Sequence, residues 1–258
     1  MSGDAASIEL ATVRPVRRVE QCMGTVFSIE VRLPGCAAAA IDDAVSWLHW
    51  VDRTFSPYQQ DSQLSRLARD ELAVEDCVPE VGQILARCAE LETETRGYFS
   101  ATAGGVLDPS GLVKGWAIQH ASEMLSAAGS TSHCVNGGGD VQCAGPAAAG
   151  RPWRIGIADP LQAGRLAGIV AGRDLAVATS GTAERGNHIL DPHTGHPRAE
   201  LASVSLVGRQ LASVDAYATA AFAMGVAAPE WIEALPDCQG LIVYPDGRRW
   251  SSTGLTLG

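Results

Sequence analysis

Apolar and polar residues alternate along segment 25–33, TVFSIEVRL, so that Phe27, Ile29, Val31 and Leu33 share one face. A period of two predicts a strand with one buried face. Elsewhere the apolar residues recur every three or four positions, which is the period of an amphipathic helix. On this basis helices are predicted over residues 41–51 and 79–96. Two further helices are predicted over residues 111–128, which Gly129 would end, and 212–225.

Short apolar runs separated by turn residues follow residue 132 and predict strands. They include HCVN, RIGIA, LAGIV, DLAVAT and SVSLV, with a final hairpin around PDG. Because strands and helices do not alternate in a regular βαβ rhythm, the pattern favours an α+β fold over a doubly wound parallel sheet. The fold we expect is α+β, with a mixed, largely antiparallel sheet and flanking helices. We expect one globular domain over residues 19–258, preceded by a flexible segment 1–18.

The chain has 258 residues and a formal net charge of −10, with 46% hydrophobic and 19% charged residues. An acidic protein is repelled by nucleic-acid phosphates and by anionic lipid, so neither is expected as a partner. No run approaches the roughly 20 apolar residues of a membrane span. A protein of this charge that binds a phosphate ligand needs backbone N–H groups or a cation at the site.

Seven cysteines are scattered along the chain without a CxxC pair, and the N-terminus lacks the apolar run of a signal peptide. We therefore expect reduced thiols, mostly filling the core, and a cytoplasmic location.

A carboxylate and a hydroxyl stand four residues apart in VDAYATAAFAMG, at Asp215 and Thr219. On a helix they share one face, among small apolar residues that make an unpartnered carboxylate costly. Carboxylate and hydroxyl oxygens suit Mg²⁺ or Ca²⁺ rather than zinc. The alternative is a helix N-cap at Ser213 or Asp215, with Thr219 bonding back to the chain.

Two further segments have the composition of a phosphate site. In LDPSGLVKGWA, Asp108 and Ser110 stand where a helix begins, and Lys114 follows one turn later. The alternative there is an ordinary cap followed by a solvated lysine. In NGGGD, the three glycines before Asp140 could let successive N–H groups surround an anion, or could simply form a tight turn.

Three histidines and Asp191 crowd the segment NHILDPHTGHP. A zinc site is not favoured, because Asp-Pro and Thr-Gly form turns and the histidines do not share a helix face. A rigid turn that places one histidine in a cleft as a base is favoured, with His193 and His196 exposed.

Tyr58, which follows a Ser-Pro turn, is either a stacking platform or a core residue with a hydrogen-bonded hydroxyl.

Taken together and in this order, these segments resemble the FAD:protein FMN transferases, also called ApbE-like flavin transferases, in a compact bacterial form similar to actinobacterial members. The matching stretches are MGT (23–25), FSPYQQDSQLSRL (55–67), LDPSGLVKGWA (107–117), VNGGGD (135–140), ATSGTAERGNHILDPHTG (178–195) and VDAYATAAFAMG (214–225). The resemblance implies an α+β fold related to the T-fold. It also implies that FAD and Mg²⁺ bind, that FMN passes to a Ser/Thr hydroxyl of an acceptor protein, and that AMP is released.

The resemblance also implies roles for individual residues. Asp215, Thr219 and a backbone oxygen of Gly111 would hold the metal, and by analogy His188 is the candidate base. The flavin nucleotide would be met by the matching residues Met23, Tyr58, Asp108, Lys114, Gly138, Asp140 and Ile189. Two alternatives stay open: an FAD pyrophosphatase, in which water replaces the acceptor hydroxyl, and a flavin-binding protein without turnover.

Overall fold

The fold is built on one eight-stranded antiparallel sheet, seen in a computed structural model that describes residues 15–32, 38–182 and 189–258. In spatial order its strands are β1 (Val16–Cys22), β2 (Thr25–Val31), β3 (His133–Gly137), β4 (Asp140–Ala144), β7 (Leu175–Gly181), β10 (Ser203–Gly208), β11 (Gln239–Val243) and β12 (Arg249–Ser251). Two antiparallel ribbons stand apart from it, namely β5 (Trp153–Ala158) with β6 (Leu166–Gly172), and β8 (Leu190–Asp191) with β9 (His196–Pro197).

Helices cover one face of this sheet. They are α1 (Ala38–Phe55), α2 (Gln63–Ala68), α3 (Pro79–Glu94), α4 (Ser110–Ala127), α5 (Leu211–Met224) and α6 (Ala228–Glu233), with 3-10 turns at Val74–Asp76 and Gly225–Ala227. The larger hydrophobic cluster lies between sheet and helices, and a smaller cluster lies on the other face beneath β5 and β6. The predicted α+β class, with an antiparallel sheet and flanking helices, is confirmed.

Three of the four predicted helices, α3, α4 and α5, form within two residues of their expected ends, while α1 begins three residues before the predicted helix 41–51 and ends four residues after it. On β2, Phe27, Ile29 and Val31 are buried as the alternation predicted, while Leu33 lies outside the described residues. β1 differs from the prediction, because it begins at Val16, inside the segment 1–18 that was expected to be flexible. Its residues pair with β2 in an antiparallel register that joins Val16 to Val31.

The run Leu211–Glu233 is apolar and long enough to cross a membrane on length and composition alone. However, 67% of its most apolar window is buried inside the protein, which is the behaviour of a core helix. α5 accounts for most of this run, and its alanines pack against both α4 and the sheet.

α4 and α5 cross at Gly115, where the backbones are too close for a side chain. A Cβ added to Gly115 would lie 2.7 Å from Asp215 Cβ and 2.7 Å from the carbonyl oxygen of Leu211. Real Cβ atoms do not approach other atoms so closely, and a backbone oxygen cannot rotate away. The absence of a side chain at Gly115 therefore sets the distance between these two helices.

We predict that Gly115→Ala destabilises the protein by about 1–3 kcal/mol, the usual cost of overpacking, although alanine is the better helix former. The matched control is Gly82→Ala in α3, where an added Cβ would lie 3.6 Å from Val74 Cγ1, an ordinary contact. That variant should gain about 0.5–1 kcal/mol from helix propensity. Urea unfolding of both variants measures the difference, and equal effects at the two positions would contradict the account of the crossing.

A fully buried histidine joins β3 to α4. The ring nitrogens of His133 lie 2.8 Å from Ser122 Oγ and 2.9 Å from Ser130 Oγ. Burial outweighs the contact with Ser122 and lowers the pKa of His133 from 6.5 to about 4. The folded protein therefore holds this ring neutral at pH values where the unfolded chain protonates it.

Because the folded-state pKa lies below the unfolded one, the contribution of His133 to stability is complete above pH 6.5 and falls as the pH drops toward 4. The loss over that window should reach about 3 kcal/mol. We predict that the free energy of unfolding of His133→Gln, measured by urea unfolding, falls correspondingly less between pH 7 and pH 4 than that of the wild type. The control is His120→Gln, at a half-exposed ring, which should lose as much stability as the wild type. Equal losses of stability in the wild type and in His133→Gln would show that His133 does not cause this pH dependence.

Candidate functional site

The crossing of α4 and α5 places a carboxylate and a hydroxyl next to the first turn of α4. Asp215 is 3% exposed, and its Oδ2 accepts a hydrogen bond of 3.0 Å from the Gly115 N–H. α5 begins at Leu211, so Asp215 lies inside the helix and the N-cap alternative for it is wrong. Thr219 lies one turn further along the same face.

Thr219 faces Gly111 across the helix pair. A Cβ added to Gly111 would lie 3.5 Å from Thr219 Oγ1 and 3.2 Å from the Phe99 ring. Thr219 does not bond back to its own helix; its hydroxyl lies 3.2 Å from Ser180 Oγ on β7. Gly111 and Thr219 therefore adjoin each other, as Gly115 and Asp215 do one turn away.

Lys114 lies between two carboxylates. Its ammonium forms an ion pair with Asp140 Oδ2 and lies 4.0 Å from Asp215 Oδ1. The side chain is only 25% exposed, so the alternative of a solvated lysine is wrong. It is also the single lysine in a sequence that otherwise relies on arginine for positive charge. The two carboxylates and one ammonium carry a formal charge of −1 together.

Asp140 anchors this arrangement from the sheet. It is 1% exposed, and its Oδ1 accepts a hydrogen bond of 3.0 Å from the backbone N–H of Thr179 on β7. The described contacts of Asp140 are therefore with Lys114 and β7. Its predicted contact with a flavin nucleotide stays a prediction.

The glycine run before Asp140 forms the tight turn between β3 and β4. Gly138 and Gly139 have φ values of 58° and 90°, which explains the choice of glycine. The Gly138 N–H donates to the carbonyl oxygen of Val26 at 3.2 Å, and the Gly139 N–H donates to Asn136 Oδ1 at 3.3 Å. Because both N–H groups already donate hydrogen bonds within the chain, this turn offers fewer N–H donors to an anion than its sequence suggested.

Asp108 begins α4. Its Oδ1 accepts a hydrogen bond of 3.0 Å from the Ser110 N–H, and its own N–H donates to the Ala101 carbonyl oxygen at 2.7 Å. α4 begins at Ser110, one residue before the predicted start at residue 111, so the predicted helix start is confirmed. The carboxylate lies three residues before Gly111, at the end of α4 that reaches Thr219.

Met23 and Tyr58 are the residues predicted from the two early motifs. Met23 has a φ of 49° in the turn between β1 and β2, and this turn adjoins the glycine turn, since a Cβ on Gly138 would lie 3.0 Å from Thr25 Oγ1. Tyr58 is 85% exposed, so the alternative of a core tyrosine is wrong. Its exposed ring is consistent with a stacking role.

The histidine-rich segment is organised by Asp191. This buried carboxylate accepts hydrogen bonds of 3.0 Å from the His193 N–H and the Thr194 hydroxyl, and one of 2.6 Å from Arg198. Burial alone would raise the pKa of Asp191, but these hydrogen bonds and the charge of Arg198 hold that pKa below its usual range. Asp191 therefore fixes the turn.

His193 and His196 are exposed, as predicted, and His193 also contacts the Tyr98 ring edge-on at a centroid distance of 4.6 Å. Ile189 is half-buried and packs against the larger hydrophobic cluster. His188, the candidate base, lies outside the described residues.

Two contributors to the site were not found from the sequence. Thr179 donates its backbone N–H to Asp140, and the Ser180 hydroxyl contacts Thr219. In the sequence both stand at the end of a predicted strand and resemble ordinary strand residues. The available signal was the register of β7, because Ala176, Ala178 and Ser180 share the face that is turned toward the helices. A polar residue on that apolar face needs a partner, and Thr219 provides it.

Comparison with known proteins agrees with this architecture. The Flavin Transferase ApbE from Vibrio cholerae superposes with a TM-score of 0.80 at 22% identity, covering 93% of this chain and 97% of that one. The ApbE protein of Thermotoga maritima gives a TM-score of 0.81 at 23% identity, with the same coverage. At these identities the likeness establishes the fold.

Two sequence relatives are both named FAD:protein FMN transferase. The FAD:protein FMN transferase of Treponema pallidum is 33% identical over 174 residues, which is 60% of this chain and 48% of that protein. The one from Rhodobacter capsulatus is 37% identical over 122 residues, 44% of this chain and 23% of that protein. The matched region thus spans half or less of these curated relatives. The family model of the ApbE family matches residues 23–108 and 103–242. The chain therefore belongs to the ApbE family.

Proposed function

We propose that this protein is a Mg²⁺-dependent transferase that moves the FMN half of FAD onto a Ser/Thr hydroxyl of an acceptor protein and releases AMP. Membership of the ApbE family and the name shared by its relatives support this activity. The observation that carries it is the pairing of Gly111 with Thr219 and of Gly115 with Asp215, which gathers oxygen donors beside the single lysine.

The donors present fit magnesium. Asp215 offers a carboxylate, Thr219 a hydroxyl and Gly111 a backbone carbonyl, all of them the hard oxygen ligands that Mg²⁺ prefers. In a regular helix the N–H of residue 115 donates a hydrogen bond to the carbonyl oxygen of residue 111. In this protein the Gly115 N–H donates to Asp215 Oδ2. Because a carbonyl oxygen has two lone pairs, Gly111 can bond within the helix and still bind a cation.

This donor set is small. In the described ranges, no group of three or more His, Cys, Asp or Glu side chains could hold a metal ion. Mg²⁺ commonly takes one or two carboxylates together with phosphate oxygens of its substrate. We therefore infer that the cation binds tightly only together with the FAD diphosphate, whose charge it offsets.

Lys114 supplies the second positive charge of the site. Held by Asp140, its ammonium can contact a phosphate oxygen without moving away from Asp215. When bound, Mg²⁺ would polarise the phosphoryl oxygens and stabilise negative charge that develops on them. Positioning and charge stabilisation are the main requirements of phosphoryl transfer.

The transfer itself is an in-line displacement. The acceptor hydroxyl oxygen forms a bond to the FMN phosphorus, the phosphoanhydride bond breaks, and AMP leaves. We assign the hydroxyl proton to His188, since an imidazole titrates near neutral pH. Met23, Tyr58, Asp108, Gly138, Asp140 and Ile189 are proposed to contact the flavin nucleotide. Of these, Tyr58 has an exposed ring that suits stacking.

We also propose a cytoplasmic location. Six cysteines fall in the described residues and all six are free thiols, which suits a reducing compartment.

The activity is tested by incubating the protein with FAD and Mg²⁺, with and without a flavin-acceptor protein. We expect AMP in the complete mixture, together with a mass gain of one FMN group on the acceptor. AMP formed equally without acceptor would instead indicate a pyrophosphatase. Bound flavin with no AMP under any condition would indicate a binding protein without turnover.

Three variants assign roles within that assay. Asp215→Asn keeps an acceptor for the Gly115 N–H but removes the charge, and should abolish the Mg²⁺ response and most transfer. His188→Ala should slow transfer by about 10²–10⁴-fold and leave FAD affinity unchanged. His196→Ala, which removes an exposed ring of the same segment, is the control. It should change neither the Mg²⁺ response nor the rate of transfer. Unchanged transfer in Asp215→Asn would refute the metal assignment.

A further inference from the structure

Ser180 contacts the proposed metal ligand Thr219 from the sheet. The two hydroxyl oxygens lie 3.2 Å apart, and Ser180 is buried on the face of β7 that is turned toward α5. The preceding residue, Thr179, points to the other face, where its Oγ1 lies 2.8 Å from Ser205 Oγ. Of these two neighbouring hydroxyls, it is Ser180 that reaches the site.

A threonine hydroxyl has one proton and two lone pairs. When it binds a cation it offers a lone pair, and its proton must then point to a different acceptor. The cation also draws electron density from the oxygen, so the O–H becomes a stronger donor. Ser180 Oγ lies within hydrogen-bond distance for that proton.

The strand that carries Ser180 is held firmly. β7 pairs with β4 on one side and with β10 on the other, and the Thr179 N–H donates to Asp140. A group on a strand fixed in this way can hold another group more precisely than a group on a loop can.

We propose that Ser180 is a positioning residue of the cation site: it accepts the Thr219 hydroxyl proton and so directs a lone pair of that hydroxyl at the cation. This inference rests on the proposed function, because it takes Thr219 as a ligand. Ser180 itself does not touch the cation in this arrangement. Outer groups that orient metal ligands typically contribute 10–100-fold to metal affinity.

The test uses Mn²⁺ as a probe, with saturating FAD, and measures its dissociation constant from the EPR signal of free Mn²⁺. Ser180→Ala should weaken Mn²⁺ binding by about 10–100-fold and leave the FAD affinity at saturating Mn²⁺ nearly unchanged. Ser180→Thr, which keeps a hydroxyl, should bind Mn²⁺ nearly as the wild type does. Ser205→Ala removes a buried strand hydroxyl outside the site and should have no effect.

A double-mutant cycle separates positioning from general loosening of the fold. If Ser180 acts through Thr219, then Ser180→Ala should change Mn²⁺ affinity by less than about twofold in a Thr219→Ala background. The same loss in both backgrounds would overturn the proposal. If Ser180→Ala does not fold, Ser180→Cys replaces it, because a thiol is a weak acceptor of similar size.

The outcomes also distinguish this inference from the proposed function. A wild-type protein that binds Mn²⁺ and a Ser180→Ala variant that binds it equally well would overturn only the role of Ser180. A wild-type protein that binds no Mn²⁺ in the presence of FAD would overturn both.

Discussion

The close approach of α4 and α5 is the constraint on which the site depends. Two glycines one turn apart on α4, Gly111 and Gly115, face Thr219 and Asp215, which are one turn apart on α5. Because neither glycine has a side chain, a carboxylate and a hydroxyl from one helix reach the backbone of the other. Apolar residues at the glycine positions would still fill a core, but they would separate the oxygen donors and close the space between them.

Electrostatics explains why a cation and a dinucleotide would bind together. Asp140, Asp215 and Lys114 have a formal charge of −1 in a largely buried setting. A diphosphate alone would bring that sum to −3, which is costly away from water, whereas a divalent cation returns it to −1. The ion pair with Asp140 holds the only lysine of the chain at this position. Under the proposed function, the substrate phosphates would complete the site.

Much of the fold was predictable because its elements have clear periods. α1, α3 and β2 each bury one set of positions, so their apolar spacing is readable, whereas α5 is buried on most sides and is recognised by its length and small apolar residues. β1 has no such signal, since VRRVEQC is mostly exposed at the edge of the sheet. β4 was also missed, because four of its five residues are buried and it does not alternate. Local spacing correctly placed Asp215 and Thr219 on one helical face.

The sequence could not say which residues meet across the fold. The ion pair between Lys114 and Asp140 and the contact between Ser180 and Thr219 join residues far apart in the chain. Such pairings depend on how helices cross and how strands are ordered, and these are properties of the packed structure. The role of Asp191 was hidden for a more local reason, because its partner Arg198 lies beyond the turn and reaches Asp191 only once β8 and β9 pair.

The proposed function depends on a cation bound where α4 crosses α5. The most direct measurement is a crystal structure with FAD and Mn²⁺, using anomalous scattering to locate the metal. We expect a single strong anomalous peak that marks a metal bonded to Asp215 and Thr219, next to the Gly111 carbonyl and the FAD phosphates, at ligand distances of about 2.0–2.2 Å. A flavin nucleotide bound elsewhere, or a fully occupied FAD site with no metal at that crossing, would contradict it.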